Sequence, residues 1–338
     1  MRNGMERQVQ KLEFLWLEIT GRCNLKCTHC YADSGPELPL DDGMAVADWF
    51  AVLEESAVLG CKRVQFLGGE PTLHPELPAL IGHARALGFE RICVYTNGTR
   101  FTPAVRDALR EHAVELAFSV YAATAAVHDG ITARAGSFDK TIASIRWAVA
   151  SGLRVRAGVI AMPENSAHTA AARRFLEELG VKDVHVDAVR KLGRGLAYGT
   201  PASELGELCG RCGNGKLCVS ASGEIFPCAL SRFAPLGNFR AAGLAGALGG
   251  ARLQEFRSDL LEAFERKYPR YRRDAAHLAA TCSPEEDPGP CNPEQDPGPC
   301  GPEKDPGPCG PEKDPGPCVP EQPAVRASGA PLVFVPRR

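Results

Sequence analysis

The feature that most restricts the fold of this chain is a regular alternation of short apolar runs and amphipathic segments between residues 12 and 189. The apolar runs have the length of buried strands, and the segment 44–59 between the first two has apolar residues at helical spacing. Right-handed crossovers join such strands into a parallel sheet. The pattern therefore predicts an α/β fold, a partial (β/α)6 TIM-type barrel. The predicted strands are residues 12–19, 63–67, 92–96, 115–121, 155–160 and 184–189.

Local signals at the helix boundaries support this division. Thr and Ser often begin a helix, and glycine takes the left-handed conformation that ends many helices. Thr102, before Pro103, and Ser137 are therefore predicted helix starts. The glycines predicted to end helices before the next strand are Gly60, Gly88, Gly152 and Gly180.

Three cysteines, Cys23, Cys27 and Cys30, lie in one loop directly after the first predicted strand. A [4Fe–4S] cluster normally takes four thiolates, so this loop leaves one iron without a ligand. Either a distant residue supplies the fourth ligand, or that iron binds substrate. A zinc site is the alternative, because Cys-x2-Cys pairs also bind zinc.

A second motif, Gly68-Gly69-Glu70, follows the second predicted strand. Two glycines let the backbone approach a small ligand closely, while carbonyl groups and a carboxylate can bind a cationic amine. Ligand-binding groups of barrel folds lie at the carboxyl ends of the strands. We therefore expect this motif and the three-cysteine loop to form one site.

With these two motifs the chain resembles the radical S-adenosylmethionine (AdoMet) enzymes. Cys23-x3-Cys27-x2-Cys30 is similar to their cluster loop, and Gly68-Gly69-Glu70 is similar to the element that holds the methionine amino group. The resemblance implies a [4Fe–4S] cluster that binds AdoMet at its open iron. It also implies that one electron cleaves AdoMet to a 5′-deoxyadenosyl radical, which takes a hydrogen atom from substrate.

The same resemblance implies AdoMet contacts at later strand ends. Asn97 and Ser119 follow or end the third and fourth strands and would lie near the AdoMet carboxylate and ribose. Arg134 would pair with the carboxylate, since a guanidinium matches its geometry. His29 stands where these enzymes often have an aromatic residue against adenine. From the residues alone, a turn asparagine, a strand-end serine and a solvated arginine remain alternatives, and no general base is identified.

A second group of cysteines, Cys209, Cys212, Cys218 and Cys228, can hold one metal centre, with the last two flanking a predicted hairpin that turns at residues 222–223. Four thiolates also suit zinc. Cys212-x10-Gly223-x4-Cys228 resembles the opening of the SPASM or shorter twitch module of peptide-modifying radical AdoMet enzymes. That resemblance implies an auxiliary [4Fe–4S] cluster. The later cysteines of a full SPASM pattern do not follow Cys228, so we expect one auxiliary cluster, and two only if the tail contributes ligands.

From residue 282 the chain becomes a nine-residue repeat rich in Pro, Gly and Cys. Such a composition cannot form a packed core, so we predict a disordered tail. Extra cluster ligands and a tethered substrate-like segment are the alternatives. The repeats begin at Cys282, Cys291, Cys300, Cys309 and Cys318. The predicted divisions are an extension 1–11, the barrel 12–195, the small cysteine-rich auxiliary domain 196–275, the repeats 276–322 and a C-terminal tail 323–338.

Composition restricts the partners. The net charge is −2 and no basic stretch is interleaved with aromatic residues, so we expect no nucleic acid. No apolar run near the start is long enough for a membrane span, and no signal peptide precedes it. Fourteen cysteines without an export signal favour metal ligation in a reducing compartment, the cytoplasm.

These observations predict a radical AdoMet enzyme that oxidises or cross-links a ribosomally synthesised peptide. The expected partners are a precursor peptide and an electron donor such as ferredoxin or flavodoxin. With eleven residues before the first strand, leader recognition falls to the barrel mouth, the auxiliary module or a separate leader-binding protein. Two rivals are a radical AdoMet dehydrogenase or epimerase acting on a sugar or nucleoside, and a non-catalytic zinc or iron–sulfur protein.

Overall fold

A computed structural model describes residues 11–40 and 43–267 of the chain. The repeats from Cys282 to Cys318, the tail 323–338 and residues 1–10 of the predicted extension lie outside the described residues. The predictions for those segments, including disorder and extra metal ligands, therefore stay predictions.

Strands and helices alternate along the described chain as the sequence predicts. Strands β1 to β9 are Phe14–Glu18, Arg63–Leu67, Arg91–Thr96, Glu115–Ser119, Val155–Ala161, Asp183–Ala188, Lys216–Val219, Glu224–Phe226 and Gly237–Asn238. Helices α1 to α8 are Val46–Val58, Leu77–Ala86, Pro103–Glu111, Ala125–Thr132, Ser137–Ala150, Thr169–Glu178, Phe239–Gly249 and Ala251–Lys267. Each of the six predicted strands agrees with an observed strand to within two residues at either end.

The predicted helix boundaries hold with one difference. Thr102 caps α3 by accepting a hydrogen bond from the Val105 amide, and the four predicted glycines have left-handed backbones just after their helices. Ser137 begins α5, but its side chain is not the cap. The Asp129 carboxylate accepts from the Gly136 and Phe138 amides and from the Ser137 hydroxyl. An acceptor from the preceding helix thus performs the capping that local sequence assigns to Ser137.

All nine described strands form one sheet in the order β6-β5-β4-β3-β2-β1-β7-β8-β9. The first six are parallel, which is the predicted barrel arrangement. The cysteine-rich segment adds β7 beside β1, also parallel, and β8 and β9 follow antiparallel. The predicted hairpin turns between β7 and β8, where the Gly223 amide donates to the Ser220 carbonyl. The auxiliary segment therefore continues the sheet of the barrel.

The two faces of the sheet differ in chemistry. One face packs its apolar side chains, such as Leu15 and Phe66, against the helices in the main core. The other face, called the inner face here, carries polar side chains at the alternate positions. Trp16 donates to Gln65, and Gln65 donates to the Cys93 sulfur, across three neighbouring strands. An inner face of this kind can surround a polar ligand.

Residues 190–198, called the strap here, follow β6 and contact the loop that follows β1. The Arg194 Nε donates to the Cys27 carbonyl at 2.7 Å. In a flat sheet, five strand spacings of ~4.8 Å would separate β1 from β6 by about 24 Å. The contact therefore fits a sheet curled into a partial barrel, with the strap across its C-terminal mouth.

Candidate functional site

The three-cysteine loop leaves the carboxyl end of β1 and is held by neighbouring backbone. The Cys23 amide donates to the Gly35 carbonyl at 3.1 Å, and the Thr28 amide donates to the Ile131 carbonyl at 3.0 Å. Burial raises the pKa of the Cys23 and Cys27 thiols to about 12. Buried thiolates need a cationic partner, and the iron of a cluster is such a partner.

Asn97, at the end of β3, bonds directly to this loop. Its side-chain amide donates to the Cys23 Sγ at 3.7 Å and to the Asn24 Oδ1 at 2.8 Å. The Thr99 amide and hydroxyl donate to the Asn97 Oδ1 and fix the orientation of the side chain. The structure thus brings Asn97 together with the predicted cluster ligands, in contact with a sulfur atom.

Gly68 and Gly69 lie against the backbone of the loop. The Gly69 amide donates to the Thr20 carbonyl at 2.7 Å. A Cβ on Gly68 would overlap the Thr20 carbonyl oxygen, and one on Gly69 would overlap the Arg22 carbonyl oxygen. Gly68 also has a left-handed backbone, with φ of 142°. The lack of side chains therefore lets two backbones touch, and this contact fixes the start of the cluster loop.

Glu70 is buried, and its carboxylate is saturated by neighbours. Oε1 accepts from the Thr72 amide and hydroxyl and from the Thr96 hydroxyl at 2.6 Å, while Oε2 accepts from the Asn97 amide at 2.7 Å. Burial raises the pKa of Glu70, and these hydrogen bonds oppose the rise. The sequence suggested an anion offered to a ligand amine. In the structure the carboxylate ties the end of β2 to the end of β3, and contact of the motif with an AdoMet amine stays a prediction.

Ser119, on the inner face at the end of β4, hydrogen-bonds to the Tyr95 and Tyr121 side chains. Tyr121 in turn hydrogen-bonds to the Cys27 side chain. The His29 ring packs edge-on against Tyr121, with centroids 4.8 Å apart. Ser119 therefore reaches the cluster loop through Tyr121, which also packs against His29 of that loop. The sequence did not single out Tyr121 for a role.

Arg134 lies at the outer side of the loop. Its side chain is exposed, and Nη1 donates to the Asn24 carbonyl at 2.6 Å. It therefore contacts the loop backbone, one residue beyond Cys23. A contact with an AdoMet carboxylate stays a prediction.

Arg194 of the strap is a site residue that sequence reasoning missed. Its guanidinium donates to the Cys27 and Ser34 carbonyls and to the Asp33 carboxylate, each at 2.7 Å. Its backbone amide donates to the Cys30 carbonyl at 3.0 Å. The only local signal in the sequence is that Arg194 stands between two glycines.

The second cysteine group lies beside the hairpin. The Cys212 and Cys228 sulfur atoms are 2.8 Å apart, and Cys212 also hydrogen-bonds to Cys209. Cys218, in β7, is buried and interacts electrostatically with Cys228. Within the described ranges, no three His, Cys, Asp or Glu side chains are arranged to hold a single metal ion. Four thiolates are the donor set of a [4Fe–4S] cluster and also of a zinc site.

A cavity of about 310 Å³ lies between the cluster loop, Gly68 and Gly69, and the hairpin turn. Glu18 and Arg232 line it and form a salt bridge, and Arg232 also stacks over the Phe226 ring. Burial raises the pKa of Glu18, while the Arg232 charge lowers it. The cavity thus adjoins both the glycine motif and the cysteine-rich segment, and it is large enough for an amino-acid side chain.

Comparison with protein families identifies the first part of the chain. Residues 17–176, from β1 to α6, match the Radical SAM superfamily model. This stretch, called the radical SAM domain below, is similar to that superfamily. The chemistry of the loop fits the similarity, because three thiols, of which Cys23 interacts electrostatically with the other two, leave one iron of a [4Fe–4S] cluster for a ligand.

Curated relatives of the radical SAM domain include enzymes of peptide and porphyrin chemistry. The chain is 29% identical over 184 residues to the Antilisterial bacteriocin subtilosin biosynthesis protein AlbA of Bacillus subtilis, covering 53% of this chain and 40% of that protein. It is 27% identical to the AdoMet-dependent heme synthase of Methanosarcina barkeri, covering 53% and 51%. It is 31% identical to the PqqA peptide cyclase of Xanthomonas campestris pv. campestris, covering 53% and 48%. The matches thus span about half, or less, of these relatives.

Solved structures share the fold over a longer range than the family match. Streptococcus suis SuiB bound to S-adenosylmethionine aligns with a TM-score of 0.62 at 14% identity, over 74% of this chain and 68% of that chain. Native anSMEcpe with bound AdoMet and Cp18Cys peptide aligns with a TM-score of 0.58 at 17% identity, over 74% and 83%. At these identities the likeness concerns the fold. Among the described helices, none is long and apolar enough to cross a membrane.

Proposed function

We propose that this chain is a radical AdoMet enzyme that oxidatively modifies or cross-links a ribosomally synthesised peptide. One observation carries the proposal. Within a radical SAM domain, the three-cysteine loop, the Gly68-Gly69-Glu70 motif and Asn97 lie at adjoining strand ends and are hydrogen-bonded to one another. Such a constellation holds one loop rigidly while leaving a cluster iron open.

In this proposal Cys23, Cys27 and Cys30 hold a [4Fe–4S] cluster, and AdoMet binds at its open iron. When bound, the cluster and AdoMet supply the one-electron chemistry that generates a 5′-deoxyadenosyl radical for hydrogen abstraction. The chain's residues position this pair. The backbone of Gly68 and Gly69 faces the cavity beside the loop, Ser119 and Tyr121 line the inner face, and Asn97 orients the Cys23 sulfur.

The strap and the inner face exclude water from the reaction. Enclosure matters because a carbon radical reacts with any hydrogen donor that reaches it. Tyr198 of the strap donates a hydrogen bond to the Glu164 carboxylate. Its hydroxyl is also 2.9 Å from the hydroxyl of Thr28 in the cysteine loop. These contacts join the strap to the loop at Thr28, between Cys27 and Cys30.

We further propose that Cys209, Cys212, Cys218 and Cys228 hold one auxiliary [4Fe–4S] cluster. Net oxidation removes a hydrogen atom, then an electron and a proton, from the peptide. A centre that accepts that electron is therefore required, and the four cysteines of the segment whose hairpin turn borders the cavity would hold it. Cys212 and Cys228 are buried next to Cys209. An external donor such as ferredoxin or flavodoxin would supply the electron that cleaves AdoMet.

A peptide substrate is favoured over a small molecule by the relatives and by the cavity. Two curated relatives are named for a bacteriocin pathway and for a peptide cyclase. The cavity is bordered by the hairpin turn of the auxiliary segment, so a substrate there would contact both modules. The heme synthase relative keeps a small-molecule substrate as the second candidate. A separate leader-binding protein and a cytoplasmic location complete the proposal.

The decisive test is anaerobic reconstitution with iron and sulfide, followed by reduction in the presence of AdoMet and of peptides encoded beside the gene. We expect formation of 5′-deoxyadenosine and a peptide lighter by two hydrogens per event. Cys27→Ala should abolish 5′-deoxyadenosine, whereas Cys61→Ser, which changes a buried thiol off the loop, should not. A colourless zinc protein that leaves AdoMet intact would contradict the proposal.

The auxiliary cluster is tested by iron content. Cys212→Ser should lower bound iron by about four atoms per chain relative to Cys61→Ser. The AdoMet-responsive signal of the other cluster should persist in both variants. Equal iron in the two variants would remove the auxiliary cluster from the proposal.

A further inference from the structure

Contacts of the strap point to a positioning role for one residue. The strap joins the radical SAM domain to the cysteine-rich segment. It contacts the cluster loop, which is a separate stretch of the chain. Arg194 makes four hydrogen bonds to the loop, more than any other residue of the strap that the structure describes. Three of the acceptors are carbonyl groups, those of Cys27, Cys30 and Ser34.

We propose that Arg194 is a positioning residue for the radical SAM cluster, one that sets the geometry of its cysteine loop and the charge beside it. This inference rests on the proposed function. A planar guanidinium can donate in several fixed directions at once, which a lysine cannot do. Arg194 uses this property to bridge the Cys27 carbonyl, inside the loop, and the Ser34 carbonyl, beyond its end.

The glycines on either side make the close approach possible. Gly193 has a left-handed backbone, with φ of 53°, and a Cβ there would lie 2.6 Å from the Cys30 carbonyl oxygen. Gly195 is buried, and a Cβ there would overlap the Arg190 carbonyl oxygen. At Gly193 the strap backbone is therefore packed directly on the loop backbone, whereas at Gly195 it is packed against the start of the strap itself.

The charge of Arg194 is only partly balanced. Its side chain is 20% exposed, whereas that of its ion-pair partner Asp33 is 71% exposed. Water screens the exposed carboxylate more strongly than the half-buried guanidinium. A net positive charge beside the cysteine loop favours the reduced, more negative form of a cluster. Arg194 should therefore raise the reduction potential of that cluster.

The strap also connects the two groups of cysteines. The Arg190 Nη1 donates to the Glu207 carbonyl, and the Lys191 amide donates to the Glu207 carboxylate, both at 2.9 Å. Glu207 lies two residues before Cys209. The strap that carries Arg194 is thus hydrogen-bonded both to the cysteine loop and to the segment just before Cys209.

The test compares full-length reconstituted wild type with Arg194→Met and Arg194→Lys. Arg173→Met is the matched control, because Arg173 pairs with Glu177 on the surface of α6, and its side chain is 57% exposed. Iron content and the EPR signal that changes on adding AdoMet are measured, together with its midpoint potential. The AdoMet response assigns the signal to the cluster at Cys23, Cys27 and Cys30, so the auxiliary centre does not interfere.

We expect Arg194→Met to lower the AdoMet-responsive signal per chain about tenfold. Loss of a residue that holds metal ligands in place has an effect of this size at other metal sites. The remaining signal should have a more negative midpoint potential. Arg194→Lys should restore the midpoint potential, because lysine keeps the positive charge. It should restore only part of the cluster occupancy, because lysine lacks the planar guanidinium that donates in several directions. Should Arg194→Met not fold, the lysine variant decides by the same two readings.

Signal and potential equal to those of Arg173→Met in both Arg194 variants would overturn the inference. A wild type with no AdoMet-responsive cluster would instead overturn the proposed function. The two failures are therefore distinguishable.

Discussion

The side-chain amide of Asn97 donates to the Sγ of Cys23 at 3.7 Å, so an uncharged donor faces a predicted cluster ligand. A hydrogen bond to a thiolate stabilises its negative charge, and hydrogen bonds to charged groups are worth about 1.5–3 kcal/mol. The contact also orients the loop, because the same amide reaches Asn24.

Replacing Asn97 by Asp should therefore weaken the site. A carboxylate would face the sulfur in place of the donor, and repulsion should lower the rate of AdoMet cleavage about tenfold or more. Quantification of 5′-deoxyadenosine after reduction measures this. Asn238→Asp is the control, since aspartate keeps the cap of α7 and loses only an exposed hydrogen bond to the Ser222 carbonyl. Equal rates in the two variants would show that Asn97 does not influence the cluster.

The four hydrogen bonds at Glu70 predict a structural role that is independent of AdoMet. Glu70→Gln places an amide group among donors, so at least one donor loses its acceptor. We expect the free energy of unfolding to fall by roughly 2 kcal/mol or more, with AdoMet absent. Glu37→Gln, in an exposed pair with Lys26, should leave it almost unchanged, because water screens that pair. Anaerobic thermal unfolding of the reconstituted proteins checks both, and a loss seen only with AdoMet would instead favour a ligand contact.

Opposite effects are expected for two Gly→Ala substitutions. At Gly69 the new Cβ overlaps the Arg22 carbonyl oxygen, so the loop must shift and unfolding should become easier by at least about 1 kcal/mol. Gly130, inside α4, has open space around it, so alanine there should stabilise by roughly 0.5–1 kcal/mol. Denaturant titration of both variants gives the signs directly. A neutral Gly69→Ala would mean that the loop is not packed as described.

Acid should destabilise the protein through His128. This residue is 1% exposed, its Nδ1 accepts from the Tyr121 amide, and burial lowers its pKa from 6.5 to about 4. The unfolded chain then binds a proton that the folded chain does not, so stability falls as the pH drops from 6.5 toward 4. The contribution is at most roughly 3 kcal/mol, at ~1.4 kcal/mol per pKa unit.

The measurement compares wild type and His128→Asn between pH 5 and about pH 7.5, a window set by that shift. Asparagine keeps an acceptor for the Tyr121 amide but does not titrate, so its stability should depend less on pH. Subtracting the two profiles removes the acid lability that both proteins share. Parallel profiles would contradict the assignment.

Local pattern was enough to predict the barrel strands. Each strand from β1 to β6 is an apolar run of the right length that ends before a turn or a motif, and α3 begins at a Thr-Pro pair. The position of the cysteine loop, Gly68 and Gly69 followed from a topological rule, since carboxyl ends of parallel strands share one edge. The lengths and ends of the strands and the start of the helix depend on residues that are neighbours in the sequence.

Long-range partners could not be predicted in this way. Glu18 pairs with Arg232 across 214 positions, and Arg194 bonds to Cys27 across 167. Neither contact has a periodic signal, because each depends on how the sheet curls. The motif around Glu70 predicts an anion that binds a ligand. The carboxylate also accepts four hydrogen bonds, two of them from the end of the next strand, and the motif does not predict these.

The pairing of β7 with β1 links the folding of the two parts of the chain. Through that pairing the second cysteine group is built on a strand that completes the hydrogen bonding of the first. A gene product ending before residue 216 would leave one side of β1 unpaired, a ready template for association with other chains. We therefore expect the two halves to fold as a unit.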